Sequence, residues 1–273
     1  MVKKIFATMV IVVSFIITGC TSGIGLELTK IFAENNYNLV LVSRNLTKLQ
    51  KLQNDLLAKY NISIYIIAQD LSVINSAKIV YEKINELNIE VDILCNNAGS
   101  GLFGEFLDYD ISRYRDMVQL NIISLMDLTY YFLNDMKKRN CGKILNIAST
   151  AAFSSGPYMA VYYATKAFVL SFSEALSMEL KNTNINVTCI CPGTTKTEFF
   201  DKATNNSINL IRNKAMSSRD VAKYSFNKLM KKKIVGIPGF KNRLVIFGNK
   251  FISRRLSRNI IYSYQRKRGK GKI

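Results

Sequence analysis

The sequence predicts an α/β fold: a doubly wound parallel sheet of about seven strands with helices on both faces, followed by a basic helical extension. Three observations carry this. Short apolar, β-branched runs alternate with longer helical stretches along the 273 residues, as right-handed βαβ units require. Apolar residues make up 48% and charged residues 21%, the composition of a chain that folds, and the length suits one large domain. A glycine-rich turn follows the first apolar run and opens the first helix, where a doubly wound sheet receives an anion.

The first strand is read over Val10–Thr18, rich in Val and Ile as a buried parallel strand should be. The same stretch has a second reading. Lys3 and Lys4 precede the apolar run Ile5–Ile17, and Ile17-Thr18-Gly19-Cys20 resembles a lipoprotein cleavage box, so export through Cys20 is a minority expectation. Met9 is an alternative start. The remaining strands are expected at Asn38–Ser43, Ser63–Ala68, Val91–Asn96, Lys143–Ala148, Asn186–Cys191 and Ile234–Ile237. Helices are expected between them at Ile24–Asn35, Leu46–Tyr60, Ser76–Leu87, Ile111–Arg139, Tyr158–Lys181 and Ser218–Lys231. No repeat or Pro/Gly-rich linker divides the chain, so 1–240 is read as one domain and 241–273 as the basic extension.

Composition narrows the chemistry. There is no histidine, which excludes Ser-His-Asp and Cys-His nucleophile systems and HExxH zinc sites. The five cysteines are odd in number and lack a CxxC pair, so buried reduced thiols are expected, with no metal. Cys189 and Cys191 would share one face of a strand.

The turn reads Thr18-Gly19-Cys20-Thr21-Ser22-Gly23-Ile24-Gly25. Its glycines permit a tight bend and close approach of a pyrophosphate, and the helix behind it aims its N–H groups there. The second strand ends in Ser43-Arg44, where a cofactor with a free ribose 2′-OH usually meets an acid. A guanidinium suits a 2′-phosphate instead, so NADP(H) is expected over NAD(H). The fourth strand runs into Asn96-Asn97-Ala98-Gly99. The fifth ends at Ser149, and Tyr162 and Lys166 follow at i and i+4 on one helix face. An ammonium beside a phenol is expected to lower its pKa into a useful range.

These motifs, in this order, resemble the short-chain dehydrogenase/reductase family in its roughly 250-residue form, with 3-oxoacyl reductase and hydroxysteroid-dehydrogenase-like members as the nearest type. TGCTSGIG, Asp70-Leu71, NNAG, Asn121, Ser149, YxxxK and PGxxxT (Pro192–Thr197) cover about Val10 to Phe200. The resemblance implies a Rossmann-type fold and a carbonyl reductase. Tyr162 would be the general acid, Lys166 would hold the nicotinamide ribose, and Ser149 would bond the substrate oxygen. Asn121 would hold a relay water to Lys166; its alternative role is to kink the helix with its amide. Gly19, Ser22, Gly23, Ile24 and Gly25 would cradle the pyrophosphate, with Ser43 and Arg44 at the 2′ position. Asp70 and Leu71 would touch adenine, and Asn97, Ala98 and Gly99 the adenosine side. Pro192, Gly193, Thr195 and Thr197 would meet the nicotinamide end. Tyr158 and Tyr163 are read as packing or pocket residues.

A lid is expected over 198–216. Beyond Asp220 there is no acid, and from Lys223 onward there are sixteen Lys or Arg. Ile252, Leu256, Ile260 and Tyr264 form a stripe at i, i+4 spacing. It would either lie on an anionic membrane or pack on the domain; nucleic-acid binding is the least favoured use. The functional expectation is an NADPH-dependent reductase of a lipophilic carbonyl, cytoplasmic or peripheral on the inner face of the membrane, and homo-oligomeric. The alternative is a non-catalytic NADP(H) sensor or membrane-associated adaptor.

Overall fold

The computed structural model describes residues 14–203 and 215–269. The expected first half of the leading strand (10–13), the cleavage-signal segment before it, Met9, most of the expected lid and the last four residues lie outside the described residues.

The chain alternates as expected: β1 (Ser14–Thr18), α1 (Gly23–Glu34), β2 (Asn38–Ser43), α2 (Leu46–Leu57), β3 (Ile64–Ala68), α3 (Ser76–Glu86) and β4 (Ile93–Asn96). Then come α4 (Ile111–Val118), α5 (Ser124–Arg139), β5 (Gly142–Ile147), α6 (Ala160–Glu179) and β6 (Ile185–Ile190). Two short strands, β7 (Thr195–Lys196) and β8 (Met216–Ser217), pair with each other and flank α7 (Glu198–Ala203). The C-terminal part contains α8 (Ser218–Met230), β9 (Val235–Gly236), α9 (Phe240–Asn249) and α10 (Arg254–Gly269).

The main sheet is parallel throughout, in the order β3-β2-β1-β4-β5-β6-β9. The order reverses between β1 and β4, the crevice where such sheets bind ligands at their carboxyl ends. All five residues of β1 are buried, because a central strand covered on both faces has no polar side. Phe15 projects to one face and stacks on Phe32 of α1, with centroids 3.6 Å apart. Ile16 projects to the other, among residues of α3, α5 and α6. Removing everything before Cys20 would take out this central strand.

Three sequence expectations change. The helix Ile111–Arg139 is interrupted by a π turn over Gln119–Ile123, an inserted residue that periodicity does not disclose. The basic extension holds two helices, α9 and α10. Four cysteines are buried as expected, but Cys141 is exposed. Among the described residues no helix is long and apolar enough to cross a membrane.

Candidate active site

A cleft of about 1420 Å³ runs along the carboxyl ends of the central strands. It begins at the glycine turn, where Gly19 and Gly23 have φ of +66° and +56°, a region that only glycine enters without strain. Gly25 is required by space: a Cβ there would stand 2.3 Å from the Gly19 carbonyl oxygen. The N-cap of α1, Ser22, makes no side-chain cap bond, which leaves the first turn of the helix for an external acceptor. The turn is fastened to β4. Thr18 Oγ1 accepts from the Asn97 and Ala98 N–H groups at 3.1 and 2.9 Å. Asn97 Nδ2 donates back to the carbonyls of Thr18 and Gly19 at 2.9 and 3.1 Å. Asn97 therefore shapes the turn with its side chain. Thr18 was not singled out from the sequence, where a threonine at a strand end carries no signal.

Ser43, Arg44, Asp70 and Leu71 line the next stretch of the cleft. Ser43 Oγ lies 3.1 Å from Thr21 Oγ1. Arg44 is largely exposed, its guanidinium 3.9 Å from the Asp70 carboxylate, whose other oxygen accepts from the Ser72 N–H and hydroxyl at 2.9 and 2.7 Å. The donor set fits NADP(H): the N–H groups of a glycine bend and of the start of α1 for the pyrophosphate, and a solvated guanidinium able to turn to a 2′-phosphate.

Ser149, Tyr162 and Lys166 line the same cleft further along. Ser149 extends from the end of β5 and caps a short 3₁₀ turn by accepting from the Ala151 N–H at 3.1 Å. Tyr162 and Lys166 sit one turn apart on α6. Lys166 Nζ donates to the Ile147 carbonyl at 2.9 Å and lies 5.9 Å from the Tyr162 ring centroid. The electrostatics differ from the sequence expectation. Burial pushes the Tyr162 phenol up to about 12, against an opposing hydrogen bond from Ser149. Burial also pulls the Lys166 ammonium down to about 8. In the protein alone, desolvation of both groups outweighs the lowering of the phenol that their pairing suggested.

Asn121 sits in the π turn and is buried. Its Oδ1 accepts from the Ser100 N–H at 2.9 Å, and its Nδ2 donates to the Ser100 carbonyl and Thr165 Oγ1 at 2.9 and 3.0 Å. The side chain expected to hold a relay water is thus committed to the loop after β4 and to α6. It does not line the cleft, and neither does Gly25; the other expected site residues do. Pro192 accepts from the Thr150 N–H at 2.8 Å, and Thr195 Oγ1 donates to the Gly193 carbonyl at 3.0 Å. Thr197 lies against Gly23, which brings the PGxxxT segment back to the glycine turn.

The far wall comes from the C-terminal helices. Ile246 of α9 and Ile260, Ile261, Tyr264 and Gln265 of α10 line the cleft. Of the expected stripe, Ile252, Ile260 and Tyr264 line the cleft and Leu256 does not; Leu256, Ile260 and Tyr264 keep about half of their surface exposed, while Ser257 and Gln265, one residue along, are buried. Gln265 Nε2 donates to the Tyr163 hydroxyl at 3.1 Å, and Tyr262 stacks on Tyr158 at 5.8 Å. Sequence reasoning missed Gln265 because a polar residue beside an apolar stripe reads as solvent-facing.

Comparison with known proteins bears on the family and the fold. A sequence profile described as short chain dehydrogenase matches residues 14–207. A dehydrogenase/reductase SDR family protein 7-like of Dictyostelium discoideum is 37% identical over 192 residues, 68% of this chain and 60% of the relative. A very-long-chain 3-oxoacyl-CoA reductase of Rattus norvegicus is 33% identical over 65% of this chain and 57% of the relative. The matches thus span less than two thirds of those relatives' length. Among solved structures, a short-chain dehydrogenase from Sphingobium yanoikuyae in complex with NADPH aligns with a TM-score of 0.77 and 27% identity, over 84% of this chain and 89% of that one. A 7beta-hydroxysteroid dehydrogenase aligns with a TM-score of 0.83 at 21% identity, over 91% and 96%, a likeness of fold.

Proposed function

The chain belongs to the short-chain dehydrogenase/reductase family, and on that footing we propose that it is an NADPH-dependent oxidoreductase that reduces a carbonyl, a ketone or 3-oxoacyl group on a lipophilic substrate, to the alcohol. What carries the reading is the convergence of Ser149, Tyr162 and Lys166 on the cleft that begins at the glycine turn. The dinucleotide, when bound, supplies the hydride.

The rest is the work of this chain. The glycine turn and the start of α1 hold the pyrophosphate, and Arg44 swings from Asp70 to a 2′-phosphate. Burial keeps the Tyr162 phenol protonated across the neutral range, so its proton is present when charge develops on the carbonyl oxygen. The Ser149 hydroxyl orients that oxygen. Lys166, charged below about pH 8, donates to ribose hydroxyls and favours the phenolate that forms. Asn121 positions Ser100 and Thr165 around it. Phe199, at the start of the expected lid, lies 5.2 Å from the Tyr162 ring and helps exclude water from the proton transfer. The apolar residues of α9 and α10 along the cleft support a lipophilic substrate, and the four buried thiols suit a reducing compartment.

Following NADPH absorbance against a panel of ketones and 3-oxoacyl thioesters tests the reading. Tyr162→Phe is expected to lower turnover about 10²- to 10⁴-fold while leaving the NADPH dissociation constant within a few-fold. Retained turnover in that variant would assign the proton to another group, and no turnover with any carbonyl would favour a nucleotide-binding sensor.

A further inference from the structure

Helix α9 is amphipathic the wrong way round for a helix that only packs. The side it presents to the domain is mostly polar. Asn242 bonds the Pro238 carbonyl at 2.8 Å and sits against Gly193, Ile246 is buried, and Asn249 Nδ2 donates to the Phe153 carbonyl at 3.1 Å. The opposite side carries Phe240, Leu244 and Phe247, continued by Phe251 at i+11, and these are 72%, 58%, 58% and 75% exposed. A helix docked on its own core normally keeps its apolar stripe inward, and scattered apolar residues need no explanation whereas a contiguous aromatic patch does. The Phe247 and Phe251 rings touch, with centroids 5.1 Å apart. Ile237, Phe240, Leu244 and Phe247 rim a shallow apolar depression of about 380 Å³.

The surroundings of the patch are basic. Arg243 and Lys250 stand at the depression, Lys241, Arg254 and Arg255 are exposed on the same helix or within four residues of Phe251, and the sequence holds no acid beyond Asp220. Two copies meeting through this face would press these like charges together. An apolar centre in a cationic ring complements a bilayer with anionic headgroups. The patch is also continuous with the cleft. Val245, exposed on α9, and Ile246, buried on its inner side, both line the cleft.

We propose that the outer face of α9, with Phe251, seats on an anionic lipid bilayer, so that the cleft opens at the membrane surface and an apolar carbonyl substrate enters from the lipid. Attachment moves from the α10 stripe suggested by sequence to α9. The substrate route rests on the reductase reading above; the docking does not.

The chain contains no tryptophan, which gives a direct test. Phe247→Trp in the full chain puts the only tryptophan on the patch, and Tyr130→Trp puts it on α5, outside the patch. Mixed phosphatidylcholine–phosphatidylserine vesicles at low salt should shift the Phe247→Trp emission to the blue and leave Tyr130→Trp unchanged. Pure phosphatidylcholine should bind about tenfold more weakly. In sedimentation, Phe240→Ser/Leu244→Ser/Phe247→Ser should lose vesicle binding about tenfold at both low and high salt. Arg254→Gln/Arg255→Gln should lose it only at low salt, where charge is unscreened. NADPH binding checks that each variant is folded. No shift with mixed vesicles, an equal shift at Tyr130→Trp, or a blue shift that appears without lipid and grows with protein concentration overturns the proposal, the last by showing a second copy on this face. These readouts are independent of turnover. NADPH consumption with a water-soluble ketone and no vesicles tests the reductase reading separately.

Discussion

The two ends of the cleft are built on opposite plans. At the glycine turn the wall is set by main chain: positive φ at Gly19 and Gly23 and a Gly25 with no room for a methyl group, with the Asn97 side chain stitching one strand end to the next. At the far end the wall is side chain: Ile260, Ile261 and Tyr264 of α10, with Gln265 reaching across to Tyr163. A wall of main chain offers one shape and tolerates almost no change. A wall of side chains can be recut residue by residue without disturbing the strands. The difference separates a binding task that stays constant, holding a dinucleotide, from one that varies, choosing a carbonyl.

That contrast can be broken at either end. The largest effect is expected from Gly25→Ala, whose Cβ would meet the Gly19 carbonyl oxygen at 2.3 Å. Backbone on backbone cannot yield cheaply, so NADPH affinity should fall about 100-fold or more, read by fluorescence titration. Affinity within threefold of the parent would show that the turn relaxes and that the main-chain wall is less rigid than argued. Arg44→Asp comes next. Loss of a charge-assisted contact and gain of a repulsion should cost about 10- to 100-fold in NADPH affinity while NADH affinity stays constant or rises. Equal dissociation constants for the two cofactors in the parent protein would remove Arg44 from the 2′-phosphate. The smallest effect is expected at the other end. Gln265→Ala should raise the KM for the carbonyl about two- to tenfold by loosening α10 over Tyr163, with the NADPH dissociation constant unchanged. An altered NADPH affinity in that variant would mean that the two walls are coupled.

The same contrast explains what could be read beforehand. The strands at Asn38–Ser43 and the start of α2 at Leu46 fall where periodicity put them, since both depend on local pattern. Tyr162 and Lys166 were legible because i, i+4 spacing on a helix is a local geometric fact. The π turn at Gln119–Ile123 was not, because Asn121 answers to Ser100 and Thr165, 21 and 44 residues away. The expected lowering of the Tyr162 pKa failed for a related reason. A motif shows that Lys166 is near Tyr162, but burial is set by the whole fold, and burial decides both groups. Helix α9 does carry a stripe at helical spacing, Phe240, Leu244 and Phe247, but a stripe in sequence does not say whether it faces the core or solvent, and here it faces solvent.

Thr18 makes the nucleotide cradle a late arrival in time. Its hydroxyl joins the turn to Asn97 and Ala98 across 79 and 80 residues of chain. The loop holding those partners includes two further strands and three helices, and long loops close slowly because their entropy is lost before any contact forms. A chain emerging from the ribosome can form β1 and α1 early and still lack a shaped turn until β4 docks beside β1. A dinucleotide then has nothing to recognise in the half-made protein and would stabilise only chains that have completed the crossover. Coenzyme capture during synthesis would thus mark the closing of the sheet, the moment at which β4 takes its place beside β1.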